Sequence, residues 1–202
     1  MGFVRRKDEG SKASVWNLLK SQIAGLAEDV KERVLVKLFS EGSLEVTSNT
    51  EHEEFTDWER ILRPLAEAEG AIVVRPLDYV DYIESALKSL CKKVEETETD
   101  YPATWEGYSK VELYYCTRPS RAFVVLSSHS DSDFAAVRFN VHKDARSAVR
   151  DYNSVIDSWI DTLYDHSTLE VPGAEESAER AEELKHEKLK IHEVLEKIKS
   201  VF

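Results

Sequence analysis

The stretch of sequence that decides the fold is KVELYYCTRPSRAFVVLSSHSDSDFAAVRFNVH, residues 110–142. Apolar and polar residues alternate in 110–116 and in 134–142, and the segment between them, 121–127, has AFVVL at its centre. Alternation with a period of two is typical of strands that bury one face. Polar turns separate the three segments. The pattern therefore predicts a three-stranded antiparallel meander.

A helix is predicted over 145–165, directly after the meander. Its apolar residues Val149, Tyr152, Ile156, Trp159 and Leu163 recur at helical spacing. We expect this helix to cover the apolar face of the meander. Alternation assigns to that apolar face Val111, Leu113, Tyr115, Ala135, Val137, Phe139 and Val141. The opposite, wet face would hold Glu112, Tyr114, Cys116, Arg138, Asn140 and His142.

The first half of the chain is predicted to be mainly helical. Apolar residues recur at spacings of three and four in the segments 13–39, 55–65 and 77–96. Gly42 ends the first pattern, as is typical of a helix C-cap. Short strands are predicted at 43–47 and 71–75. The acidic, threonine-rich segment 95–104 is predicted to be a linker or loop.

The segment from about residue 28 to residue 75 resembles a winged helix-turn-helix domain. The resemblance lies in VLVKLFSEGSLEV, residues 34–46, and in ILRPLAEAEGAIVVR, residues 61–75. In such domains a helix ends at a glycine, a short strand follows, and a later helix leads into a glycine and the wing. Four acidic residues between 53 and 59 would repel phosphates, so the resemblance implies a protein-binding domain more than a DNA reader. Any α+β packing of a helix, a turn and a strand is the alternative.

A linker is predicted at 167–177, where Pro172 and Gly173 interrupt the helical pattern. The tail, 178–202, is predicted to be one amphipathic helix with a seven-residue repeat that Lys188 interrupts. Its stripe is expected either to fold back on the domain or to bind a protein partner or a second copy of the chain. The predicted partner-binding residues are Leu184, Ile191, Leu195, Ile198 and Phe202.

Together these segments predict an α+β protein. Its predicted parts are a basic leader (1–12), a helical, winged-helix-like region (13–98), the meander with its helix (105–166), a linker (167–177) and a C-terminal helix (178–202). A content of 42% hydrophobic residues can build a core, and no apolar run approaches the roughly 18 residues of a membrane span.

The composition also indicates the kind of organism, the class of partner and the cellular compartment. Glutamine, asparagine, methionine and cysteine are scarce beside abundant glutamate, lysine and arginine, which is typical of hyperthermophile proteins. The net charge of −12 disfavours general nucleic-acid binding, because that requires clustered lysine and arginine. Without a secretory signal or a disulfide framework, Cys91 and Cys116 are predicted to be reduced thiols of a cytoplasmic protein.

The segment HSDSD, residues 129–133, is the candidate site for a divalent metal. His129, Asp131 and Asp133 supply imidazole and carboxylate ligands, and His142 begins the next element. This ligand set requires that His129 and His142 lie within about 10 Å of each other. A solvated hairpin loop accounts for the same residues, since serine and aspartate are common turn formers.

The function is predicted from what the sequence contains and lacks. Tyr114, Arg138 and His142 on the wet face are candidates for contacting a ligand or single-stranded nucleic acid. Nucleotide-binding glycine loops, zinc-ribbon cysteine pairs and hydrolase serine elbows do not occur in the sequence. The sequence therefore favours a non-enzymatic interaction module without a cofactor: an adaptor, regulator or assembly subunit. The alternatives are a metal-dependent nuclease or phosphodiesterase and a DNA-binding transcriptional regulator.

Overall fold

The structure, a computed structural model, describes residues 28–49, 76–100, 107–131 and 134–199. The helices in this part of the chain are α1 (Glu28–Glu41), α2 (Pro76–Leu90), α3 (Ala145–Ser167), α4 (Ala174–Glu187) and α5 (Ile191–Lys199). The strands are β1 (Ser43–Asn49), β2 (Cys91–Asp100), β3 (Tyr108–Cys116), β4 (Ala122–Ser130) and β5 (Phe134–His142). The predicted α+β class is confirmed.

One antiparallel sheet joins the two halves of the chain, with the strand order β1-β5-β4-β3-β2. The predicted meander is β3, β4 and β5, and β1 and β2 extend it at its two sides. The predicted helix end at Gly42 is confirmed. Gly42 has a φ of 80°, and its N–H donates to the Leu38 carbonyl at 3.0 Å. The left-handed backbone there favours glycine and turns the chain from α1 into β1.

Strand β2 occupies residues that the sequence assigned to a helix and a linker. Helix α2 ends at Leu90, and β2 begins at Cys91 with no residue between them. Val94, Thr97 and Thr99 are buried, whereas none of the glutamates and lysines of β2 is buried. Charged side chains protect an edge strand from pairing with other chains, and here they produce the composition of a linker. The prediction of a linker is therefore wrong as far as Asp100.

Each face of the sheet has its own hydrophobic core. On face A, helices α1 and α2 pack on Leu44, Val46, Tyr114, Val124, Leu126, Val137 and Phe139. On face B, helices α3, α4 and α5 pack on Val94, Val111, Leu113, Phe123 and Val125. The sheet is thus the middle of three layers, which is why its central strands are apolar on both sides.

The register assigns the strand faces differently from the sequence prediction. Tyr114 lies opposite Val124, and Val124 lies opposite Val141, so these three residues share face A. The expectation that Leu113 and Val141 lie on one face is therefore wrong. Alternation separates the two faces within one strand, but only the register shows which set of residues continues on the next strand.

The C-terminal tail forms two helices, and the prediction of a single helix is wrong. Lys188 has an extended conformation, with φ −62° and ψ 133°, and α5 begins only after the break at residues 188–190. The Asn153 side chain of α3 stabilises this break. It accepts a hydrogen bond from the Leu189 N–H at 2.8 Å and donates one to the Leu189 carbonyl at 2.9 Å. Such paired bonds replace the helical bonds that the break removes.

Helix α4 packs on its own domain. Ala181 and Leu184 are fully buried against α3, and Leu189 is buried beside them. The helix already begins at Ala174, so the predicted linker at 167–177 is shorter than expected. In the described part of the chain, no helix is both long enough and apolar enough to cross a membrane.

Cys91 and Cys116 form a disulfide, so the prediction of two reduced thiols is wrong. The two cysteines lie 25 residues apart in sequence but opposite each other in the β2–β3 register, with their Cα atoms 4.3 Å apart. That spacing is close to the value for a non-hydrogen-bonded antiparallel pair. The pairing depends on a strand that the sequence did not predict.

Replacing Asn153 with alanine is expected to lower the free energy of unfolding by about 1–3 kcal/mol. The substitution leaves the partly buried N–H and carbonyl of Leu189 without their side-chain partner. Urea denaturation followed by circular dichroism measures the change. Ser158→Ala is the control, because that exposed serine of α3 bonds only within its own helix. Equal losses in the two variants would contradict the role of Asn153.

Candidate functional site

The structure separates the residues of the candidate metal site. His129 lies opposite Ala136 on β5, six residues before His142 on that strand. At about 3.3 Å per residue, the two histidines lie about 20 Å apart and cannot bind the same metal. The predicted ligand set that includes both is therefore wrong. Asp133 lies outside the described residues, and among those described no group of three or more His, Cys, Asp or Glu residues could hold a metal ion.

His129 and Asp131 have structural partners at the β4–β5 hairpin. The Nδ1 of His129 lies 2.8 Å from the Ser109 hydroxyl, and its Nε2 lies 3.6 Å from the Asp131 carboxylate. Asp131 also accepts a hydrogen bond from the Phe134 N–H at 2.7 Å. This geometry is that of a hairpin turn held by an aspartate, which was the alternative interpretation of the segment.

The predicted ligand face is also divided. Tyr114 is only 2% exposed and lies in the core of face A, where its hydroxyl donates to Glu112 at 3.2 Å. Arg138 and His142 belong to the opposite face, because they alternate with the face A residues of β5. The three residues do not form one surface, so the prediction of a shared binding face is wrong.

Around His142, polar side chains connect β5 to α3. The Nε2 of His142 lies 2.7 Å from Oδ2 of Asp151, and Asn140 donates to the same oxygen at 3.0 Å. Burial raises the pKa of Asp151, but the hydrogen bonds from His142 and Asn140 outweigh it and lower the pKa below its ordinary value. Among the described residues, no serine, threonine or cysteine side chain hydrogen-bonds to His142. The arrangement holds helix α3 to strand β5.

The predicted partner-binding stripe is divided between the core and the surface. Leu184 is fully buried, and Ile198 is partly buried against the same core. Ile191 and Leu195 are 37% and 42% exposed. Phe202 lies outside the described residues. Of the described members of the stripe, Ile191 and Leu195 are therefore the best placed to contact a partner.

Beside the break at residues 188–190 lies a cleft that the sequence prediction missed. It has a volume of about 610 Å³ and lies between α3, the end of α4 and the break itself. Its lining residues are Asn153, Asp157, Ile160, Lys185, His186, Lys188, Leu189 and Lys190. The sequence signal was KHEKLK, a basic run at 185–190 in an acidic chain. In the single helix that the sequence predicted, these residues would lie on different sides of the helix. The break between α4 and α5 instead places most of them in one cleft.

The lysines of the cleft are held to different degrees. Lys188 contacts both oxygens of Asp157, at 2.7 and 3.0 Å. Lys185 donates to Glu182 and to the hydroxyl of Tyr164, and these bonds raise the pKa of Lys185. Lys190 is 70% exposed, and its only described ion pair is a long one of 3.5 Å. Lys185 and Lys188 are thus held by close partners, whereas Lys190 is held only weakly.

A ring of four charges lies on face A and was also missed. Lys93 and Lys110 each contact both Glu96 and Glu112, across β2 and β3. Glu112 is buried, and it also accepts the hydroxyl of Tyr114. The hydrogen bonds from Lys93 and Lys110 lower the pKa of Glu96 to about 2. Because each charge has two opposite partners, the ring acts as a crosslink between the strands.

Comparison with family models, with curated proteins and with solved structures finds no match for this chain. The winged-helix resemblance stays a prediction, because residues 50–75 lie outside the described part. Function is therefore inferred from the described surfaces, since a fold class alone does not determine an activity.

Replacing Glu96 with glutamine is expected to reduce the loss of stability in acid. The pKa of Glu96 is about 2 in the folded chain and ordinarily 4.5. Its stabilising contribution is therefore present above pH 4.5 and is lost as the pH falls toward 2. Urea midpoints measured across this pH range should fall more steeply for the wild type than for the variant.

The control for this measurement is Glu196→Gln. Glu196 is exposed on α5, and among the described residues it pairs only with Lys199, three residues away. Its substitution should leave the pH profile parallel to that of the wild type. If both variants flatten the profile to the same extent, the charge ring has no special contribution.

Proposed function

We propose that this chain is a non-enzymatic interaction module, an adaptor, regulator or assembly subunit, that associates with a second copy through α5. The observation that supports this proposal is the exposure of Ile191 and Leu195 beside the fully buried Val194. Ile191 and Leu195 are four residues apart, so they form one apolar patch on the surface of the helix. Most dimers are symmetric, and an apolar patch can meet its own copy across a two-fold axis.

Contacts on both sides of α5 fix this patch in position. Val194 packs in the core of face B, and Lys197 forms an ion pair with Glu95 of β2. The exposed pairs Lys190–Glu193 and Lys199–Glu196 lie at the two ends of the helix. An apolar centre with a charged rim is the usual composition of a protein–protein interface. A patch on a fixed helix loses little conformational freedom on binding.

We place this module in the cytoplasm of a hyperthermophile. The scarcity of thermolabile residues supports this source. The Cys91–Cys116 disulfide is compatible with that compartment, because intracellular proteins of hyperthermophiles are rich in disulfides.

The two alternative functions have less support. A metal-dependent nuclease lacks the ligand set on which that hypothesis was based, because His129 and His142 lie on distant parts of the sheet. A DNA-binding regulator depends on the segment 50–75, which lies outside the described residues. The net charge of −12 also disfavours a polyanionic partner.

Replacing both Ile191 and Leu195 with serine is expected to abolish self-association. Sedimentation equilibrium should show a wild-type mass that rises above the monomer with concentration, whereas the double variant stays monomeric. Val36→Ser is the matched control, because Val36 is 51% exposed on α1, which packs on the opposite face of the sheet. It should associate like the wild type.

A wild-type chain that stays monomeric at every concentration would contradict the proposal. So would equal effects of the α5 and α1 substitutions. Truncation after Pro172 is not a suitable test, because it removes Ala181 and Leu184 from the core. At concentrations too low for association, circular dichroism should show that the double variant keeps the wild-type fold, because neither Ile191 nor Leu195 belongs to the buried core.

A further inference from the structure

We propose that the cleft beside the break at residues 188–190 binds an acidic peptide segment of a partner protein. This inference rests on the proposed role as an interaction module, and it gives the chemistry of a partner other than a second copy. Three features of the cleft point to such a segment: a carboxylate already held within it, a local excess of positive charge and an apolar floor.

The first feature is the carboxylate of Asp157. The Nζ of Lys188 lies 2.7 Å from its Oδ1 and 3.0 Å from its Oδ2, so the cleft already binds one carboxylate of its own. The backbone next to Lys188 is fixed, because Asn153 pairs with both polar groups of Leu189. A cation on a fixed backbone is pre-organised for an incoming carboxylate. Asp157 thus occupies the position that a carboxylate of the ligand would take.

The second feature is the sign of the charge. Three of the eight residues that line the cleft are lysines, and one is an aspartate. Glu187, which interrupts the basic run, bonds instead to Arg180 at 2.7 Å. Lys185 and Lys190 also pair with Glu182 and Glu193, which lie outside the lining. The lining itself contains more lysines than carboxylates, in a chain whose net charge is −12. Complementary charge of this kind selects an acidic partner and accelerates its association.

The third feature is the apolar floor. Ile160 and Leu189 line the cleft and are both largely buried. A volume of about 610 Å³ lies within the usual range of about 300–1,000 Å³ for ligand sites. Such a floor accommodates an aliphatic side chain between two carboxylates. A continuous phosphate backbone carries no aliphatic side chain that could occupy this floor.

The binding experiment uses the full chain and a short fluorescent peptide in which glutamate alternates with leucine. Fluorescence anisotropy at low salt is expected to show saturable binding. Lys190→Glu should weaken it by on the order of fivefold, because the change reverses a charge at the rim of the cleft. Lys199→Glu is the matched control: both lysines are 70% exposed and paired with a glutamate three residues away. It should bind like the wild type.

Asp157→Asn provides a test with the opposite sign. Removal of the internal carboxylate frees Lys188 for the peptide, so the affinity is expected to rise by on the order of fivefold. A purely structural role for the Asp157–Lys188 pair predicts no such rise. Unchanged or weaker binding in a folded Asp157→Asn variant would overturn the assignment of Lys188 as a carboxylate site.

Failure of this inference is distinguishable from failure of the proposed self-association. The Ile191→Ser, Leu195→Ser double variant should keep its peptide binding and lose only its association. A wild type that associates but does not bind the peptide overturns the cleft assignment alone. A monomeric wild type that binds the peptide overturns only the self-association. Tighter binding of an oligothymidine of equal length would overturn the choice of a peptide.

Discussion

The antiparallel register of β3, β4 and β5 is the constraint on which the rest of the structure depends. Tyr114, Val124 and Val141 are aligned across three strands and assign face A to α1 and α2. The residues that alternate with them assign face B to the three C-terminal helices. A shift of one residue on any strand would move its apolar set to the wrong core, so both helical layers stabilise a single register.

Helix α3 connects the sheet to the surface through hydrogen bonds of its side chains. Tyr152 donates to the buried Thr97 of β2 at 2.9 Å, and Asp151 bonds to His142 of β5. One residue further along, Asn153 stabilises the break between α4 and α5. Three successive side chains of α3 therefore hold the helix to β5, to the edge strand β2 and to the break beside the proposed binding surfaces. The proposed interaction surfaces thus depend on the same side chains as the core packing.

The sequence predicted those elements whose patterns are local and strong. The helix predicted at 145–165 is Ala145–Ser167, and the three strands of the meander were placed within a few residues of β3, β4 and β5. The errors share one cause, which is dependence on partners distant in sequence. Strand β2 depends on β3, the Cys91–Cys116 pair depends on that same register, and the break after Glu187 depends on Asn153. Periodicity contains no information about such distant partners. Both sites that the sequence prediction missed, the cleft and the charge ring, depend on contacts of this kind.

The junction between α2 and β2 has a mechanical consequence. Leu90 ends the helix and Cys91 begins the strand, and the disulfide joins that same residue to the end of β3. A displacement of α2 cannot be absorbed by a loop, because there is none. Such a displacement would instead pull on β2 at the edge of the sheet and shear it against β3. Strand β2 also contacts α5, through the ion pair between Glu95 and Lys197. We therefore expect helix α2, strand β2 and the disulfide to move as one unit.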